Sequence, residues 1–126
     1  MSKKILLVDD EPEALQIIKS RINSWGYEVI TASDGKEAME AFAINKVDAV
    51  ILDYLMPDID GIGLLKKIRA INNKIPTIMF TAYPKEEAIE DAEKLKIAAF
   101  IPKLSPYAST LDNLKTSLEM IFKKEK

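Results

Sequence analysis

Ile5-Leu6-Leu7-Val8-Asp9-Asp10-Glu11-Pro12 is the stretch that decides the architecture. Its brief aliphatic run is the signature of a strand buried on both faces. Two acids end it, and Pro12 stands where a first helical position tolerates a missing N–H. Leu15, Ile18, Ile22 and Trp25 then recur at helical spacing as far as Gly26, which describes an amphipathic helix.

The same alternation continues outward. Further strands are predicted at Glu28 to Thr31, Ala49 to Asp53, Thr77 to Thr81 and Ala98 to Ile101, each followed by a helix signal. Asp34 and Glu37 have the offset of a capping box ahead of Ala38, Ala41 and Phe42, with Asn45 near that helix's end. The Asp60-Gly61 turn precedes a third helix whose inward face is Leu64, Leu65, Ile68 and Ile71, ending around Asn72 and Asn73. After Pro84 a fourth helix offers only Ala88, Ile89, Ala92 and Leu95 to a core, amid many acids, and is the least anchored. Leu111, Leu114, Leu118 and Ile121 mark a fifth. The predicted class is α/β, a doubly wound parallel sheet of five strands with five helices, in one domain over residues 1–126 whose core spans 3–122.

Composition narrows the chemistry. The 126 residues carry 18 Lys plus Arg against 20 Asp plus Glu, a net charge of -2, so no broad basic face invites direct contact with nucleic acid or an anionic membrane. With no cysteine, disulfides, thiolate catalysis and cysteine-ligated zinc are excluded. The lack of histidine removes a Ser-His dyad, an imidazole metal ligand and a phosphohistidine. No apolar run approaches the ~20 residues of a spanning helix, and the amino terminus has no signal-peptide core, so a cytoplasmic location is expected.

In a doubly wound sheet, functional groups gather beyond the carboxyl ends of the strands. Here those ends lead to Asp9 and Asp10, to Asp53, to Thr81 and to Lys103. Taken alone, the first acids could cap a helix, and Thr81 and Lys103 could be ordinary strand and surface residues; Asp58 and Asp60 read as turn and cap residues. Together they describe a site. Three clustered carboxylates repel unless a pKa rises or a cation binds. With oxygen ligands only, the cation expected is Mg²⁺ or Mn²⁺. Three negative charges, a divalent cation and one lysine cancel, leaving a cradle able to accept a phosphoryl group. A carboxylate can attack such a group to form an acyl phosphate, and Asp53 is best placed to do so.

Four segments in register carry a resemblance: Ile5 to Glu11; Asp53-Tyr54-Leu55-Met56-Pro57 with Asp60-Gly61; Thr81-Ala82; and Phe100-Ile101-Pro102-Lys103. The chain resembles the receiver domain of bacterial two-component response regulators over residues 3 to 122. That resemblance implies the flavodoxin-like strand order 2-1-3-4-5. It implies Asp53 as phospho-acceptor, a donor histidine on a sensor kinase or phosphotransfer protein, and a Mg²⁺ site of Asp10, Asp9 (mainly through water), Asp53 and the Leu55 backbone carbonyl. Lys103 would pair with phosphoryl oxygens, Thr81 would move to hydrogen-bond them, and Phe100 would be the aromatic switch. The surface of the fourth helix, fifth strand and fifth helix would change and meet a downstream partner.

Two positions variable in the family are Leu55 and Tyr83 here. Neither suits the orientation of attacking water, so both are expected to prolong the acyl phosphate; Tyr83 could instead belong to a docking surface. The family usually has proline after the lysine, often with a cis bond, whereas Leu104 follows Lys103. A cis bond to a non-proline residue costs ~3 kcal/mol, which leaves open how the amine is placed. Two other classes compete. A Mg²⁺-dependent aspartyl-phosphate phosphatase would place Asp-x-Asp after the first strand. A flavin carrier would need a Ser-, Thr- and Gly-rich loop there.

Overall fold

The computed structural model describes residues 2–82, 85–103 and 107–123. The expectations attached to Tyr83 and to the Lys103–Leu104 bond lie outside them. The strands are β1 (Lys4–Val8), β2 (Glu28–Ala32), β3 (Ala49–Leu52), β4 (Thr77–Thr81) and β5 (Ala99–Pro102). All pair in parallel, in the order β2-β1-β3-β4-β5. The helices are α1 (Pro12–Ser24), α2 (Gly35–Ile44), α3 (Gly61–Ile71), α4 (Glu86–Lys94) and α5 (Tyr107–Lys123).

Side chains alternate across a strand, so the sheet divides the core in two. Ile5, Leu7, Ile51, Ile78, Phe80 and Ile101 point to one face, where Ile18 and Ile22 of α1 and Leu111, Leu114 and Leu118 of α5 cover them. Leu6, Val8, Val50, Leu52 and Met79 point to the other, beneath Ala38 of α2, Leu64 and Ile68 of α3 and Ala92 of α4. Burial on both faces is why the strand sequences show aliphatic runs and no polar alternation.

Local signals match the helix ends with two corrections. Asp34 accepts the Glu37 N–H at 2.7 Å, but the returning arm of the expected capping box reaches one residue further back, since Glu37 accepts the N–H and hydroxyl of Ser33. Ile71, expected on the inward face of α3, is 63% exposed because it occupies the last helical position, past the sheet that Ile68 covers.

The apolar anchoring of α4 is small, as expected: only Ala88 and Ala92 are fully enclosed. A polar tether replaces it at one end. The Arg69 guanidinium donates to the carbonyls of Leu95 (2.7 Å), Lys96 (3.2 Å), Ile75 (2.8 Å) and Asn72 (3.4 Å). It thereby joins α3 to the carboxyl end of α4, where Lys96 takes a left-handed conformation at φ 62°. Arg69→Ala leaves partly buried carbonyls without a donor and is expected to lower stability by about 1–3 kcal/mol. Amide exchange should rise in the last turn of α4, and Arg69→Lys should recover little, because an ammonium cannot reproduce the planar fork. Unchanged exchange in Arg69→Ala would show that the tether is idle.

Candidate acidic phosphoryl-acceptor site

Each of three site residues stands one position past a strand and is still held by the backbone ladder. Asp9 donates its N–H to Ala32 at 3.1 Å, Asp53 to Val8 at 3.1 Å and Lys103 to Thr81 at 2.7 Å. Their side chains are therefore aimed by the sheet and not by loops. Asp9 continues the alternation of Ile5 and Leu7, Asp53 that of Ala49 and Ile51, and Lys103 that of Ile101, so all three emerge on the α1/α5 side. The backbone bond from Lys103 to Thr81 keeps the lysine's own N–H in the ladder.

The Lys103 ammonium lies between the two carboxylates, pairing with Asp9 Oδ2 and, at 3.2 Å, with Asp53 Oδ2. It also stands 5.4 Å from the centre of the Phe80 ring, a favourable place for a cation. Asp9 and Asp53 are nearly enclosed, at 2% and 7% exposure. Burial by itself pushes the lysine pKa down. The Asp9 hydrogen bond and the two negative charges outweigh it, and the pKa is raised above its ordinary value. The remaining oxygens are engaged too: Asp9 Oδ1 accepts the Glu11 N–H at 3.0 Å, and Asp53 Oδ1 accepts that of Leu55 at 3.4 Å.

Asp10 is exposed, yet Asp9, Asp10 and Asp53 each bring a carboxylate oxygen within 4.8 Å of the others. Hard oxygen donors, in a chain without histidine or cysteine, suit Mg²⁺ or Mn²⁺ and offer nothing to softer metals. With Lys103 supplying one positive charge against three negative ones, the cluster retains an excess that a divalent ion would balance.

Thr81 ends β4 fully buried and falls on the opposite alternation, that of Met79. Phe100 shares this second face, half-buried against the same cluster. The Leu55 side chain is 42% exposed beside Asp53. Two residues do more than the sequence reading gave them. Asp58 is a cap, as read, but of a helix earlier in the chain: it accepts the N–H groups of Gly35 and Lys36 at the start of α2. Gly61 donates to Tyr54 O at 2.6 Å, and a Cβ there would stand 2.5 Å from Asp53 O. The Asp-Gly pair signalled a turn, but nothing local signalled contact with the backbone of Asp53.

Residues 5–115 match the family model described as response regulator receiver domain. The chain belongs to that family. This receiver is 38% identical over 99 residues to the alkaline phosphatase synthesis transcriptional regulatory protein PhoP of Bacillus subtilis, covering 79% of this chain and 40% of PhoP. To the transcriptional regulatory protein ZraR of Escherichia coli it is 36% identical over 115 residues, 91% of this chain and 25% of ZraR. It thus spans less than half the length of these relatives. Among solved structures, TrrA of Thermotoga maritima in complex with Mg²⁺-BeF superposes with a TM-score of 0.82 at 32% identity, over 94% of this chain and 98% of TrrA. The receiver domain of the Francisella response regulator 1452 gives 0.87 at 30% identity, over 99% of this chain and all of that one. Among the described residues of this receiver, no helix is long and apolar enough to cross a membrane.

Proposed function

We propose that this receiver, as one domain, is a phosphorylation-activated switch in which Asp53 accepts a phosphoryl group from a histidine of a sensor kinase or phosphotransfer protein. The observation that carries the reading is the Lys103 ammonium held between Asp9 and Asp53 with Asp10 alongside. In the transfer, an Asp53 carboxylate oxygen attacks phosphorus as the bond to the donor's imidazole nitrogen breaks, leaving an acyl phosphate and a free imidazole. Lys103 offers its charge to the phosphoryl oxygens. Asp9, Asp10, Asp53 and the Leu55 carbonyl would hold Mg²⁺, which when bound supplies positive charge to offset that of the phosphoryl group.

Thr81 and Phe100 share a face of the sheet, so a shift of the threonine toward the phosphoryl group and an inward turn of the aromatic ring belong to one movement. It reaches the surface of α4, β5 and α5, which we assign to a downstream protein partner. Because Arg69 holds the carboxyl end of α4, the change is expected at the helix's other half. The chain acts by itself, as a relay intermediate, or as the receiver of a longer regulator.

Incubation with Mg²⁺ and acetyl phosphate, followed by mass spectrometry of the mapped peptide, tests the reading. A base-labile adduct on Asp53, lost in Asp53→Asn and in chelator, supports it. Adduct elsewhere, or multiple turnover of phosphorylated metabolites as a phosphatase would give, overturns it. Leu55 also bears on lifetime: Leu55→Asn, which offers an amide to attacking water, should shorten the adduct's half-life severalfold. An unaltered decay would remove Leu55 from the account.

A further inference from the structure

The segment after Asp53 is tied down at several points along its length. Gly61 closes its base on Tyr54 O at 2.6 Å. Ile59 is lodged between two glycines: a Cβ on Gly35 would fall 2.1 Å from Ile59 Cγ2, and one on Gly63 would fall 2.8 Å from Ile59 Cγ1. Asp58 reaches across to the first turn of α2, where Oδ1 accepts the Gly35 N–H at 2.9 Å and Oδ2 accepts the Lys36 N–H at 3.0 Å. The Glu37 N–H is already taken by Asp34, so two carboxylates from different parts of the chain share that turn's donors. The Gly35 N–H leads the causes that hold the Asp58 carboxyl below its ordinary range, so it stays ionised, and an acceptor only, throughout the neutral range.

We propose that Asp58 is a positioning residue for the phosphoryl-acceptor site: by clamping the β3–α3 segment to the amino end of α2, it fixes the backbone of Leu55 and Met56 relative to Asp53. This rests on the reading of Asp53 as acceptor. Between Asp53 at the sheet and Asp58 on α2 the chain has only Tyr54, Leu55, Met56 and Pro57 to cross, so anchoring both ends sets the path of the middle. That middle supplies the Leu55 N–H directed at Asp53 Oδ1. With Asp58 gone, the near end remains in the ladder while the far end loses its two charge-assisted bonds. The backbone beside the acceptor then explores positions that neither meet the carboxylate nor present the Leu55 carbonyl.

The test compares the full chain with Asp58→Ala, Asp58→Asn and Asp34→Ala. Two readouts are followed over a Mg²⁺ series: the amide NMR shift of Leu55, and the rate of adduct formation with acetyl phosphate. Misplacement of about 1 Å can cost a hundredfold, so Asp58→Ala is expected to slow the adduct by roughly tenfold to a hundredfold and to raise the Mg²⁺ midpoint. Asp58→Asn keeps one acceptor oxygen and should recover much of both. Asp34→Ala removes the other cap of the same helix without touching the segment, and should lower the melting temperature while leaving midpoint and rate alone. If Asp58→Ala merely repeats the behaviour of Asp34→Ala, Asp58 is only a helix cap and the proposal falls. If the unaltered chain forms no adduct, the acceptor reading itself has failed and takes this inference with it.

Discussion

Replacing Lys103 by Met is expected to lower the stability of the chain in chelator by about 3–5 kcal/mol, the cost of leaving buried charges without their partner. The side chain is only 10% exposed, and its two carboxylates are at least as enclosed, so water cannot stand in for the ammonium. Asp10 adds a third negative charge within 4.8 Å, and the repulsion must be relieved by protonation or by opening of the sheet edge. Urea unfolding in chelator measures the loss. Adding Mg²⁺ should return part of it, because the same oxygens gain another cation. The pH dependence has a definite sign. The lysine pKa is raised on folding, so its contribution is complete below its ordinary value of 10.5 and disappears as pH climbs through the folded value. The unaltered chain should therefore lose stability in that alkaline window and Lys103→Met should not. Equal unfolding midpoints for the two proteins in chelator would mean that the ion pairs carry no net stability.

Gly61→Ala is the second substitution with a large expected effect, and it runs against local propensity. Alanine in place of glycine normally favours a helix by roughly 1 kcal/mol. At this position the new Cβ would lie 2.5 Å from Asp53 O, 2.8 Å from Tyr54 Cα and 3.1 Å from Met79 Sδ. The first two are backbone atoms that no rotamer change can move. Relief requires α3 to retreat from β3 or the Asp53–Tyr54 peptide to tilt, which also stretches the 2.6 Å bond from Gly61 to Tyr54 O. A net loss of about 1–3 kcal/mol is expected, with slower phosphorylation if Asp53 is the acceptor proposed above, because its own peptide is displaced. Thermal unfolding and the acetyl phosphate reaction read both effects. A variant as stable as the original would show that this approach relaxes without cost.

The parallel sheet was legible before any coordinates, since five aliphatic runs alternating with helical periodicities leave few other arrangements. So was the list of acids, threonine and lysine at the strand ends. A further signal went unused: Asp9, Asp53 and Lys103 each fall two residues beyond a side chain of the α1/α5 core, which places them on one side of the sheet. Ile71 shows the limit of periodicity, because a helix outruns the sheet it covers while its apolar spacing carries on. Strand order entered by resemblance, as nothing in the spacing of the strands distinguishes one neighbour from another.

Composition and local pattern determined the class of this protein, the edge of the sheet where its acids and Lys103 gather and the hard-oxygen character of that edge, because burial, alternation and donor type are properties of short stretches. Tertiary structure alone decided that Lys103 stands between Asp9 and Asp53, that Asp58 caps a helix lying before it in the chain, and that Arg69 grips the end of α4. Each of these joins groups 22 to 94 residues apart, and the angle between a side chain and its distant acceptor depends on how whole layers pack, which no local pattern encodes.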